Sequence, residues 1–310
     1  MDSKLLTTRN WSYMVKDILV KAFLYLDIVD LVVGASRVCR SWNLAAQDPY
    51  LWRTVDLSLL NPARLANLRM WVDMPFPEMC VRIMKGALCL SCNGVTCLIF
   101  KYGMCLSDHH FIYAAERSPN LKRLVLPYWN QLTESGFSHA VQKWERLESM
   151  TIEFVCNPPS AFEALGAHCK NLSSIKILYP FDWGYASAMC AFLPKLKVVS
   201  LQSSMVTKDA LVLILDQLEH LEVLNLSHCL FVGDRVDNDG GSVYNRLDAQ
   251  LNANHDASVL EKASRLRVFL TCQEKGCPAC PDTSTGLGFS KWFSRAEDIW
   301  RIDQISSLAH

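Results

Sequence analysis

Three cysteines near the C-terminal end, Cys272, Cys277 and Cys280, follow the spacing C-x4-C-x2-C and stand beside Pro278 and Pro281. Thiolates spaced like this hold zinc when a fourth ligand closes a tetrahedron. No second cysteine pair follows, and the histidines weighed for the fourth place, His255 and His310, are distant in sequence. The group therefore reads as reduced thiols near the last structural unit, and no metal is assigned. A redox role for Cys277-Pro278-Ala279-Cys280 is disfavoured, because Pro281 is poorly placed for the helix that activates such a pair. Asp237, Asp239 and Gly240 hint at a calcium loop, but Arg235 and Arg246 fill its first and twelfth positions, where carboxylates are needed. His109 and His110 are adjacent and would diverge along a helix, which suits no shared metal. The chain has no phosphate-binding glycine loop, no H-E-x-x-H and no nucleophile elbow. No catalytic residue and no cofactor is expected; the chemistry is that of binding surfaces.

Such surfaces need a scaffold, and composition bounds it. The chain has 310 residues, 31 basic against 31 acidic, and half of its residues are hydrophobic. That is enough to bury a core and too apolar for general disorder. The balanced charge gives no reason to expect nucleic acid or an anionic membrane as partner. The best apolar run, 210–215, is far too short to span a bilayer. Residues 1–4 lead into no apolar signal region. With no such signal, the thirteen cysteines read as small buried thiols of a cytoplasmic or nuclear protein.

Spacing supplies the architecture. Apolar residues recur as Val95-Leu98-Phe100, Leu121-Leu124-Leu126, Leu147-Met150-Ile152, Leu172-Ile175-Ile177, Leu196-Val199-Leu201 and Leu221-Leu224-Leu226. The middle residues are 26, 26, 25, 24 and 25 positions apart, and Leu266-Phe269 begins a seventh unit, 45 residues on. The last two positions of each triplet alternate with variable residues, as in a strand with one buried face. Between triplets the period becomes helical: Phe137, Ala140, Val141 and Trp144 share a face, as do Leu211, Ile214, Leu215 and Leu218. Ser107, Thr133, Ser160 and Thr207 stand at N-cap positions, and Ser160 with Glu163 has capping-box spacing. A strand–turn–helix unit cannot bury its own apolar edge, so the units must stack. The polar stretch 233–256 interrupts them as a loop or an imperfect repeat. Trp292, Phe293, Ile299 and Trp300 have the spacing of a helix that caps the last unit.

The first fifty residues follow another logic. Ile18, Leu19, Ala22, Phe23 and Leu26 give 17–26 one apolar helical face, and Leu31, Ala35, Val38 and Trp42 mark a second. Asp48-Pro49 ends it, before a short strand at 55–57. A module of this size rarely stabilises itself. It must dock on the repeats or offer its apolar side to a partner.

These residues carry a resemblance. Trp11, Asp17-Ile18-Leu19, Phe23, Leu26, Asp30-Leu31, Val38-Cys39-Arg40-Ser41-Trp42 and Asp48-Pro49-Tyr50-Leu51-Trp52 look like an F-box, although Met14-Val15 stands where F-boxes commonly open with Leu-Pro. The triplets resemble leucine-rich repeats of about 25 residues, with the family's cysteine kept only at Cys229. Together they make the chain similar to F-box/leucine-rich-repeat proteins, especially short plant ones. The resemblance implies an α/β chain: an F-box helical module at 1–54, a linker and first irregular repeat at 55–94, a solenoid at 95–271 and a C-terminal cap at 272–310.

It also implies a task. Such proteins are substrate-recognition subunits of SCF-type ubiquitin ligases. The F-box docks a Skp-type adaptor, and through it a cullin–RING ligase, while the repeats hold a target protein. Adaptor contacts would fall on Met14, Val15, Ile18, Leu19, Phe23, Leu26, Leu31, Val38, Cys39 and Trp42. The target, unknown from sequence, would meet the concave face at Arg123, Val125, Glu153, Lys176, Leu178, Gln202 and Asn225. A bland alternative stands beside this: a repeat scaffold that binds a partner without ubiquitin transfer, its N-terminal helices merely capping the array.

Overall fold

The computed structural model describes residues 11–68, 73–127, 131–153, 157–178, 180–232, 257–272, 277, 280 and 300–309. Ten strands run through it: Thr54–Asp56 (β1), Cys97–Ile99 (β2), Arg123–Leu126 (β3), Ser149–Ile152 (β4), Ser174–Ile177 (β5), Val198–Ser200 (β6), Met205–Thr207 (β7), Val223–Leu226 (β8), Leu230–Val232 (β9) and Val268–Thr271 (β10). Eight of them, all but β7 and β9, pair in parallel and in chain order. The register explains the periodicity. Leu98, Leu124, Met150, Ile175, Val199 and Leu224 stand side by side, each paired with the next. Val55 extends this row at one end and Phe269 at the other, so the seventh unit is present. β7 and β9 form a second, two-stranded parallel ladder that the sequence reading did not foresee.

The helices are Lys16–Phe23 (α1), Arg40–Ala46 (α2), Pro62–Ala66 (α3), Phe76–Leu90 (α4), Asp108–Arg117 (α5), Glu134–Val141 (α6), Pro158–His168 (α7), Trp183–Phe192 (α8), Lys208–Gln217 (α9) and Ala257–Ala263 (α10). From α4 to α10 each packs on the next along one side of the sheet. Their apolar faces and the strand row form the core, with Phe111, Phe137, Trp144, Phe162, Ile214 and Leu218 fully buried. Phe111 stacks on Phe137 at 6.0 Å and meets Trp144 edge-on at 5.2 Å. A Cβ on Gly166 would stand 2.1 Å from the Phe192 carbonyl oxygen, so α7 and α8 approach to a distance only glycine permits. Thr133 caps α6 by accepting from Gly136 N at 3.0 Å. Ser160 does not cap α7. Pro158 and Pro159 start that helix after Asn157, because proline suits a first turn that needs no backbone donor, and Ser160 falls inside it. Among the described residues no helix is long and apolar enough to cross a membrane.

The N-terminal module is continuous with this array. The expected second helix is broken into turns at Asp30–Gly34 and Ala35–Arg37, followed by α2, with Cys39 extended between them at φ −162°. The turn at Asp30–Gly34 packs on α4. A Cβ on Gly86 would lie 2.4 Å from Val32 Cγ1, so the turn presses directly on the helix backbone. β1 then leaves the module and becomes the first rung of the sheet.

Candidate functional site

The module's signature residues hold it together. Phe23 of α1 meets Trp42 of α2 edge-on at 5.3 Å. Trp42 Nε1 donates to Trp11 O at 3.2 Å and Ser41 Oγ to Ser12 O at 2.8 Å, which fastens the entering chain across both helices. Asp48 caps the turn Pro49–Trp52 by accepting from Tyr50 N at 3.1 Å, and it pairs with Lys16 at 2.8 Å. That ammonium holds the Asp48 carboxyl below its ordinary range. Trp52 is buried and donates to Ala46 O at 2.6 Å.

The adaptor residues expected from sequence therefore divide. Leu19, Phe23 and Leu31 are buried and belong to the core, where Phe23 packs on Trp42 of α2. Met14, Cys39 and Trp42 are half-buried. Val15, Ile18, Leu26 and Val38 are exposed, Val15 at 64% and Val38 at 59%. Val15, Ile18, Ala22 and Tyr25 follow one another at helical spacing and form an outward stripe on and just beyond α1. Trp11, Tyr13, Leu24, Leu44 and Tyr50 add exposed apolar surface nearby that the sequence reading left out. Part of their signal was present: Trp11 and Tyr50 belong to the quoted motif, and Leu24 follows the buried Phe23. The module thus leaves several large apolar side chains in water.

The concave face is different. Val125, Lys176, Gln202 and Asn225 are buried, and Arg123, Glu153 and Leu178 are half-buried. What covers them is the chain's own segment 300–309. Trp300 is fully buried against Cys97, Ile99, Val125 and Leu178. Lys176 Nζ donates to the carbonyls of Trp300 at 3.2 Å and Ile302 at 2.8 Å, and pairs with Asp303 at 3.1 Å. Neither side chain of that pair has any exposure. Asp303 also accepts from Ser200 Oγ at 2.6 Å and from Asn225 Nδ2 at 2.9 Å. Arg301 pairs with Asp56 at 3.2 Å and Arg123 donates to Ser307 O at 2.7 Å. The segment thus spans the sheet from β1 to β8. Burial pushes the Lys176 ammonium pKa down, and Asp303 opposes that. The expectation that Trp300 caps the last repeat from a helix is corrected: it lies in a turn on the concave face. Trp292, Phe293 and Ile299 lie outside the described residues, as do the polar stretch 233–256, His255 and His310.

The three C-terminal cysteines converge as well, and with them His228, which the sequence reading did not consider. Cys229, the repeat-family cysteine, points elsewhere and donates to Leu201 O at 2.8 Å. Among the described residues no cysteine is in a disulfide.

Comparison with known proteins fits this geometry. An F-box-like family model matches residues 16–58, which spans α1, α2 and β1. F-box/LRR-repeat protein At3g48880 of Arabidopsis thaliana is 35% identical over 97% of this chain and 96% of its own length. Putative F-box protein At4g11580 of the same plant is 26% identical over 96% of each chain. F-box protein FBW2, again from Arabidopsis thaliana, is 27% identical over 71% of this chain and 68% of its own. With a relative of that identity matched almost end to end, and the repeat solenoid in place behind the module, the chain belongs to the F-box/leucine-rich-repeat proteins.

Proposed function

We propose that this protein is the substrate-receptor subunit of an SCF-type ubiquitin ligase. A Skp-type adaptor docks on the outward stripe, and a cullin–RING ligase follows through it. The chain supplies no catalytic group. It contributes proximity, holding a target's lysines at high effective concentration near the charged ubiquitin carrier. The observation that carries this reading is the exposed apolar band of Val15, Ile18, Tyr25, Leu26 and Val38 on a segment that matches the F-box-like family. Aromatic and aliphatic anchors of this kind dominate helix-to-helix interfaces. The target would bind the solenoid, and it reaches Lys176 or Asn225 only after residues 300–309 have moved aside.

Co-purification of the full chain with a Skp-type adaptor tests the reading. Ile18→Asp with Val38→Asp should weaken the complex at least ~100-fold, about 3 kcal/mol, by placing two charges in an apolar contact. Circular dichroism should show an unchanged fold, since both side chains stand in water. A wild-type chain that binds no adaptor would leave the scaffold reading in its place.

A further inference from the structure

We propose that His228, Cys272, Cys277 and Cys280 form a structural zinc site that fastens the last rung of the solenoid. The inference does not depend on the adaptor reading.

Four potential ligand atoms, one from each residue, lie within 4.8 Å of one another. His228 Nδ1 is 3.4 Å from Cys280 Sγ and 3.6 Å from Cys277 Sγ. A zinc tetrahedron with Zn–N of about 2.0 Å and Zn–S of about 2.3 Å has N···S edges of about 3.5 Å and S···S edges of about 3.8 Å. The cluster already has nearly that size. A thiol–imidazole hydrogen bond accounts for one such contact, but not for three sulfurs gathered around one ring nitrogen.

The fold explains how the four meet. Leu226 of β8 pairs with Thr271 of β10. His228 follows β8 by two residues and Cys272 follows β10 by one, so neighbouring parallel strands deliver both at the same edge of the sheet. Cys280 N donates to Cys277 O at 3.1 Å, which holds these two residues close together. His228 has φ of 59°, a left-handed backbone that side-chain-bearing residues enter at a cost. The donor set decides the ion. Three thiolates and an imidazole are soft to borderline and contain no carboxylate, which excludes calcium and magnesium and favours zinc. Four protein ligands leave no open position, so the site is structural rather than catalytic.

The test is metal analysis of the full-length protein, produced with zinc present and purified without chelator. About one zinc per chain is expected. Cys280→Ser and His228→Asn, the latter chosen because asparagine tolerates the left-handed backbone, should each lower it to below about a fifth. Cys229→Ser, beside the site but bonded to Leu201, should keep it. Should the ligand variants not fold, the wild-type chain answers alone: a thiol-binding mercurial should release the zinc stoichiometrically, and cobalt(II) should take its place with the visible absorption of a tetrahedral thiolate centre. Zinc retained in both ligand variants overturns the proposal. So does a wild-type chain that takes up neither zinc nor cobalt, or that carries a Cys277–Cys280 disulfide when purified under reduction.

Discussion

The two faces expected to meet other proteins are in opposite states. The N-terminal module leaves Val15, Ile18, Tyr25 and Val38 in water. The concave face of the solenoid has Val125, Lys176 and Asn225 sealed beneath residues 300–309. One face comes from a single short motif and the other from a repeated one, and only the first stands open to solvent. The difference shows that a surface position on a strand says little about access when a distant segment can lie across it. It also separates two kinds of binding. Under the proposed function, one surface would need no rearrangement, whereas the other would offer a target its polar residues only after a buried ion pair has been undone.

The comparison breaks most sharply at Asp303. Asp303→Ala leaves the Lys176 ammonium buried without its counter-charge, which costs about 3–5 kcal/mol unless the segment lifts away. Hydrogen exchange should show residues 300–309 losing protection while α1 and α2 keep theirs. Equal protection in the variant and the parent would mean that the pair does not hold the segment down.

A gentler probe is pH. Burial pushes the Glu153 carboxyl up to about 7 from its ordinary 4.5. The unfolded chain gives up this proton near the lower value and the folded chain near the higher one. Glu153 therefore favours the folded state most on the acid side, and that advantage is lost as pH rises through the interval, levelling off above the upper value. Glu153→Gln should flatten this slope and raise the melting temperature at pH 8 by ~2–4 °C. A parent chain whose melting temperature climbs across the same interval, with the variant following it, would remove Glu153 as the cause.

The smallest effect belongs to the open face. Ile18→Ser alone should shift stability by no more than about 0.5 kcal/mol, since the side chain is already hydrated. Thermal melts that fell by many degrees would place Ile18 in the core and close the gap between the two faces.

How far the residues foretold this is uneven for a physical reason. Each rung repeats the same local demand, an apolar pair on a strand followed by a helical stripe, so Leu98 to Phe269 could be aligned by counting, and the pairs meet in that register. The F-box motif was equally legible, but its orientation was not. The run breaks at Gly34, between Leu31 and Val38, and again at the extended Cys39, so Leu31, Val38 and Trp42 do not share one helix face. Lys176 read as a concave-face position open to a target, because its partner stands 127 positions later in a stretch without periodicity. His228 was missed for a similar reason: only the pairing of β8 with β10 brings it to the cysteines. Local rules are written in the sequence many times over, whereas a single long-range contact is written once.

The first rung carries a last consequence. β1 emerges from the N-terminal module and pairs at once with β2, while Val32 presses against Gly86. Among the described residues the two halves are joined by this strand pairing and this close packing. A cargo gripped by the array would ride on a stiff bracket and meet the transfer machinery at a set reach and angle. Under the proposed ligase role, selectivity for particular lysines would follow from carpentry as much as from affinity: those inside the arc would be marked, and those behind it spared however tightly the cargo is clasped.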